Sequence, residues 1–320
     1  MTRKVMTLSL LLALLPWIPI GPSMNYVLRI ATMSMLYMVL ALGLSVVTGF
    51  IGHLDLGYVG FYAIGAYTSA LLSANYDIPY WIILLIATLH GGLWGLLRGI
   101  PTLGLTGDYF AIVTFGFSEL IVLIIRNEVW LTRGPMGITG VNGPSFLWHV
   151  LSKDWEYFYL ILVMLMLTIV VIRRLQESRT GRAMIAIRED ETAAEACGID
   201  TRRYKMLAFA LSASFGAAAG SFYAHWMHIV HPDMFHFWES ILVLCIVIVG
   251  GSGSVSGIVL GALVLIPTTE LLRAALLALA QWSTNAGVTF ISQDIVNARY
   301  LIFGLILLLL MRFRSEDIKN

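Results

Sequence analysis

Charge is scarce in this chain. Only 12% of its 320 residues are charged, about half the share found in ordinary soluble domains, which excludes a water-solvated globule as its main state. Cysteine is nearly absent: Cys197 and Cys245 supply neither a disulfide framework nor metal-ligand spacing. None of the four lysines, Lys4, Lys153, Lys205 and Lys319, follows a glycine, so the Gly-Lys step of a phosphate-binding loop is missing and the chain cradles no nucleotide that way. No HExxH, GxSxG or paired intramembrane aspartate is found, which removes the familiar routes to hydrolysis. The net charge is +1, so no overall field attracts nucleic acid.

What the chain has is apolar length. Hydrophobic residues make up 58% and the mean hydropathy is +0.83, so the lipid bilayer is its principal solvent. A bilayer core about 30 Å thick needs about 20 apolar residues per helix. Stretches that meet this are 5–20, 26–48, 58–75, 79–97, 108–126, 155–174, 204–226, 238–250, 257–280 and 298–314. The expected fold is an all-α polytopic membrane protein of about ten transmembrane helices, one domain over 1–320. The first stretch imitates a signal peptide, but PWIPIGPSMNY follows with no small-residue cleavage pattern, so a retained first span is expected.

Basic residues test the count. Arg3 and Lys4 precede the first span, Arg98 lies in the fourth connection, eight Lys/Arg fall from Arg173 to Lys205, and Arg312, Arg314 and Lys319 follow the last span. Ten spans with both termini inside put all of these clusters on the cytoplasmic side, as the positive-inside rule requires. The outward connection over 127–154 is long and rich in Gly, Pro and Trp. It is either an interfacial aromatic belt with a loop or a docking surface for an external partner.

The inward connection at about 175–203 breaks the pattern with REDETAAEACGID, Arg188 to Asp200. Asp190 is a natural helix N-cap, acidic residues favour that end, and Gly198 suits the position past the C-terminus. The helix between them is about two turns long, and a helix that short is marginal in water alone. Its small middle, Ala193, Ala194, Ala196 and Cys197, suits a helix lying in a partner's groove.

TAAEACG resembles the EAA loop of ABC-importer permeases, with Thr192 in the Glu position, Glu191 one residue upstream and no apolar-Pro tail. The longer run SRTGRAMIAIREDETAAEACGIDTRRYKMLAFALSASFGAAAGSFYA is similar to the permeases of branched-chain amino-acid importers, of the LivM type. So are GFIGHLDLGYVGFYAIGAYTSALL, GDYFAIVTFGFSEL, LTRGPMGI, ESILVLCIVIVGGSGSVSGIVLGAL and RYLIFGLILLLLMRFRSED, which run in order from about residue 43 to the C-terminus. The resemblance implies a permease of the bacterial inner membrane, with a second LivH-like permease subunit, two cytoplasmic ABC ATPases and a periplasmic substrate-binding protein. ATP and Mg²⁺ would sit on the ATPases, and this chain would bind no cofactor and no metal. The coupling residues implied are Arg188, Glu191, Thr192, Ala193, Ala194, Glu195 and Gly198.

Two Gly-interrupted segments, 49–57 and 250–257, each lie between spans. They are either tight interhelical turns or broken, re-entrant pieces of a translocation path, since irregular backbone at membrane depth must line protein or water. The path candidates are Gly49, Gly52, His53, Asp55, Gly57, Gly250, Gly251 and Gly253, with His53 and Asp55 as a polar pair. Glu119, in the middle of a span, is a further path candidate that would face a substrate's amino group, or else bond a neighbouring helix. Glu270 and Arg273 are spaced to pair. Gly91/Gly95, Gly216/Gly220 and Gly257/Gly261 permit close helix crossing. The histidines of HWMHIVHPDMFH, His225, His228, His231 and His236, lie among aromatic rings of the outer interface and are read as part of that belt rather than as a zinc site. Leucine, isoleucine and valine are the expected substrates; urea or a short amide, or a secondary transporter or facilitator using Glu119 for protons, are the alternatives.

Overall fold

The computed structural model describes residues 24–285 apart from 77, 147 and 148, together with the single positions 16 and 304. The expected spans 5–20 and 298–314 therefore lie outside the described residues. Each of the spans expected between them is met by one helix. These are α1 (Met24–Thr48), α2 (Tyr58–Tyr76), α3 (Tyr80–Thr102), α4 (Gly107–Asn127), then the one-turn α5 (Val129–Thr132), α6 (Asp154–Glu177), the hinge helices α7 (Arg179–Glu189) and α8 (Glu191–Ala196), α9 (Thr201–Met227), α10 (Phe237–Gly250) and α11 (Val255–Asn285).

Among the described residues, seven helical segments are long and apolar enough to cross a membrane. α2 is not one of them: its 19 residues include four tyrosines and Thr68, Ser69, Ser73 and Asn75, which dilute its apolarity. It is nonetheless buried along most of its length, because other helices rather than lipid surround it. The expectation of about ten spans is thus met by fewer within the described residues.

α1 is apolar on every side and buried from Met35 to Thr48, as a helix without a polar face must be. It packs on α6, α9, α10 and α11, while α9 lies against α1, α2 and α3. Missing side chains let α9 approach closely. A Cβ on Gly65 of α2 would lie 2.0 Å from the carbonyl oxygen of Ala217, and one on Gly95 of α3 would lie 2.6 Å from that of Phe209. Gly91 faces Ala217, Gly220 faces the α2 backbone at Tyr62, and Gly257 and Gly261 face Gly250. All three Gly-x3-Gly pairs are thus used inside the chain.

The long connection after α4 is ordered by short pairings. Strands Ile138–Thr139 and Ile229–Val230 pair antiparallel, as do Ser145–Phe146 and His149–Val150. His225 Nδ1 lies 2.7 Å from the Asn142 carbonyl oxygen and His228 Nδ1 lies 2.8 Å from that of Val141, so both rings donate to this loop. The two histidines pin the connection to the end of α9. No group of three or more His, Cys, Asp or Glu placed to hold a metal occurs among the described residues.

Candidate functional site

The hinge between α6 and α9 is built by its own capping chemistry. The Ser178 hydroxyl accepts from the Gly181 N–H at 3.1 Å and starts α7. α7 turns Gly181, Met184 and Ile187 inward. The Asp190 carboxylate accepts from the Ala193 N–H at 3.0 Å and starts α8, as its N-cap position predicts. At the other end the N–H groups of Gly198 and Ile199 donate back to the carbonyls of Glu195 and Ala194. That closure needs the left-handed conformation Gly198 adopts, φ +81°.

Two side-chain bonds tie α8 to the start of α9. Lys205 Nζ meets Glu191 Oε1 at 2.5 Å, with the lysine side chain only 2% exposed, and the Thr201 hydroxyl donates to Glu195 Oε1 at 2.6 Å. Ala194 is 5% exposed and faces inward, so it is not part of the outward surface expected of it. Arg188, Thr192, Ala193, Glu195 and Gly198 are exposed, Glu191 is half-buried, and Ala196 and Cys197 extend the exposed face. Among the described residues, chain neighbours aside, nothing lies within 4 Å of where a Gly198 side chain would begin.

The two glycine segments are not breaks within helices. Each is a turn between helices, 49–57 joining α1 to α2 and 251–254 joining α10 to α11, and the turns touch. A Cβ on Gly49 would lie 2.7 Å from the backbone nitrogen of Gly253. Arg188 reaches this junction: its Nη1 donates to the Gly49 carbonyl at 2.8 Å and its aliphatic stem lies over Gly52. Gln176, on the last turn of α6, donates to the Gly253 carbonyl at 3.4 Å. Gly251 and Gly253 have φ of +93° and +92°, and Gly250 packs against Gly257 and Ile258.

Deeper in the first turn, the expected pairing of His53 with Asp55 is replaced by another. Asp55 binds Arg98 through both oxygens, at 2.8 Å and 2.5 Å. Both groups are buried, and the guanidinium carbon lies 4.5 Å from the Phe61 ring centre. A fork of two charge-assisted bonds outcompetes an imidazole for a buried carboxylate. His53 instead packs edge-on to Phe110 at 4.8 Å. Burial lowers its pKa from 6.5 to about 4, with the Lys205 charge acting in the same direction. Gly57 sits against the Thr114 carbonyl of α4, where any side chain would collide.

Glu119 is not part of this cluster. It lies on the exposed side of α4, and among the described residues it has no hydrogen-bond or ion-pair partner. The structure therefore joins Arg188 with both glycine turns, joins Glu191 and Glu195 with α9, and leaves Glu119 apart. In the sequence, Arg98 and Lys205 count only toward the positive-inside pattern, and Gln176 carries no signal. The signal available for the two cations was a charge placed just inside or just past an expected span.

A family model described as the branched-chain amino acid transport system / permease component matches residues 26–311. The chain is 40% identical over 294 residues to the high-affinity branched-chain amino acid transport system permease protein LivM of Escherichia coli, covering 85% of this chain and 69% of that protein. It is 24% identical over 256 residues to a probable LivM of Methanocaldococcus jannaschii (78% and 71% covered). It is 26% identical over 261 residues to the LivH permease protein of Salmonella typhimurium (73% and 80% covered). No solved structure matches.

Proposed function

The chain belongs to the branched-chain amino acid transport permease family, and from that premise we propose how its hinge and glycine turns serve transport. It is a permease subunit of an ABC importer for branched-chain amino acids. Its place is the bacterial inner membrane, with both termini and the α7–α8 hinge in the cytoplasm. A LivH-like permease subunit completes the membrane part. Two cytoplasmic ATPases hold ATP and Mg²⁺; this chain holds neither and hydrolyses nothing. A periplasmic binding protein delivers leucine, isoleucine or valine to the outer loop, where Trp130 and Met136 are 82% and 84% exposed.

The observation that carries the coupling role is the division of α8 into two faces. One face is bonded to α9 through Lys205 and Thr201, and the other, Thr192, Ala193, Ala196 and Cys197, is small and open. The open face seats in a groove of the ATPase. Nucleotide binding to the ATPases favours one state of the transporter by its differential affinity for the two. The force reaches the membrane by two short routes. Glu191–Lys205 pulls on the second turn of α9, and Arg188 pulls on the Gly49–Gly253 junction at the ends of α1 and α10. Opening and closing at that junction gates the inner end of the path, with Gly49, Gly52, His53, Asp55, Gly57, Gly250, Gly251 and Gly253 around it.

Reconstitution of the chain with its partner permease, ATPases and binding protein tests this reading. Uptake of leucine, isoleucine and valine should require ATP inside the compartment served by the hinge. Uptake driven by a proton gradient without nucleotide, or carriage of urea or short amides in place of these amino acids, would contradict it.

A further inference from the structure

α4 has one face spent inside the chain and one that is not. Phe110, Thr114, Ser118 and Ile121 are buried; Gly57, in the turn before α2, comes close at Thr114, and Gly60 of α2 at Ser118. The opposite face carries Ile112, Gly116, Glu119, Leu120 and Leu123. Among the described residues, its own helix backbone aside, nothing lies within 4 Å of where a Gly116 side chain would start. Glu119 stands two residues past the midpoint of this 21-residue helix, about 3 Å along its axis at 1.5 Å per residue. It is therefore near mid-depth in the span.

A carboxylate there costs on the order of 2.5–3.5 kcal/mol against lipid, and the arginines of α4 and α3 are engaged elsewhere. Arg126 on the same helix binds Asp233 at 2.5 Å, and Arg98 is committed to Asp55. The outward face of α3 is built differently: Leu85, Leu89, Leu93, Leu97 and Ile100 are exposed with no ionisable group among them. Such a surface suits lipid tails. The face of α4 does not, and Gly116 beside Glu119 lets another helix approach closely enough to bring a donor to the carboxylate.

We propose that the outward face of α4 is the seat of the second permease subunit, with Glu119 at the centre of the contact. This rests on the two-permease reading above. Of the partners in that reading, ATPases act at the inner end and a binding protein at the outer end. Among those partners the second permease is the one that reaches mid-depth, lipid tails offer no donor, and the described residues of this chain leave the face open.

The test uses the intact transporter in membranes. A photo-crosslinking residue is placed at Leu120 or Leu123 of α4, and at Leu89 of α3 as a control. Adducts with the second permease should form from both α4 positions and not from Leu89. In parallel, Glu119→Leu should lower the amount of second permease that co-purifies by about tenfold, while Glu119→Gln, which keeps hydrogen-bonding capacity, should retain most of it. Adducts with lipid alone from α4 would overturn the proposal. So would unchanged co-purification of Glu119→Leu with a raised KM for leucine, which would make Glu119 a substrate contact rather than an interface group. If the unmodified chain brings down no second permease at all, the two-permease reading falls, and this proposal falls with it.

Discussion

Arg188 Nη1 donates to the carbonyl oxygen of Gly49 at 2.8 Å, which fastens the last turn of the hinge helix α7 to the end of α1. The placement is favourable on general grounds, because the C-terminal end of a helix exposes carbonyls and attracts cations. It also sets the guanidinium beside Gly253, in the turn that follows α10. One side chain next to α8 thus reaches the turns that follow α1 and α10.

Arg188→Ala should therefore uncouple the transporter. A hydrogen bond from a charged group is worth about 1.5–3 kcal/mol, so uptake per ATP hydrolysed should fall by roughly tenfold or more while ATPase activity in the complex persists. Arg188→Lys keeps the charge and should lie between. Parallel uptake and ATPase assays in proteoliposomes check this, and an unchanged ratio in Arg188→Ala would remove Arg188 from the coupling route.

The two faces of α8 should respond differently to bulk. Ala193→Trp adds volume to the open face, leaving the chain folded and the ATPase poorly attached. Ala194→Trp forces a ring into the packed side of α8, where overpacking costs about 1–3 kcal/mol, and should lower the thermal stability of the purified subunit. Melting curves and ATPase co-purification separate the two; identical behaviour would mean that α8 has no outward face of its own.

Much of this was legible before any coordinates. The Asp190 cap and the Gly198 terminator of α8 are local backbone chemistry, and each stands where the residue type predicts. The helix positions between 24 and 285 follow from apolar run length. Partners chosen across the fold were not legible. Asp55 had His53 two residues away as an apparent partner, but its carboxylate binds Arg98, 43 residues on, because α3 returns beside the first turn. Likewise periodicity cannot assign a face to a six-residue helix, so Ala194 read as outward when the Glu191–Lys205 bond turns it in. The meeting of Gly49 with Gly253 needed the topology.

The Asp55–Arg98 pair supplies a prediction about stability. Asp55→Asn leaves a buried guanidinium without its counter-charge, a loss of about 3–5 kcal/mol for a broken buried pair. The melting temperature in detergent should fall markedly. The double variant Asp55→Asn/Arg98→Met should recover part of it, since no unpaired charge then remains. Equal melting of the single variant and the parent would show that the pair is not buried as described.

His53 lies in the turn between α1 and α2, outside the spanning helices, and its pKa falls from 6.5 to about 4 through burial first and the Lys205 charge second. Between those values the unfolded chain takes up a proton that the folded chain refuses. Folded stability is thus fully retained above about 6.5 and falls as the pH drops toward 4, by up to about 3 kcal/mol from this group. Melting at about pH 7 and about pH 5 should show a smaller acid loss in His53→Gln than in the parent. An equal loss in both would assign the acid sensitivity to other groups.

The account rests on the open face of α8 meeting an ATPase, and photo-crosslinking from Ala193 in the assembled transporter tests that most directly. A crosslinker replacing Ala193 should yield an adduct with the ATPase subunit, and one replacing the inward Ala194 should not. Labelling of position 193 by a membrane-impermeant reagent added to whole cells, with no ATPase adduct, would contradict the account.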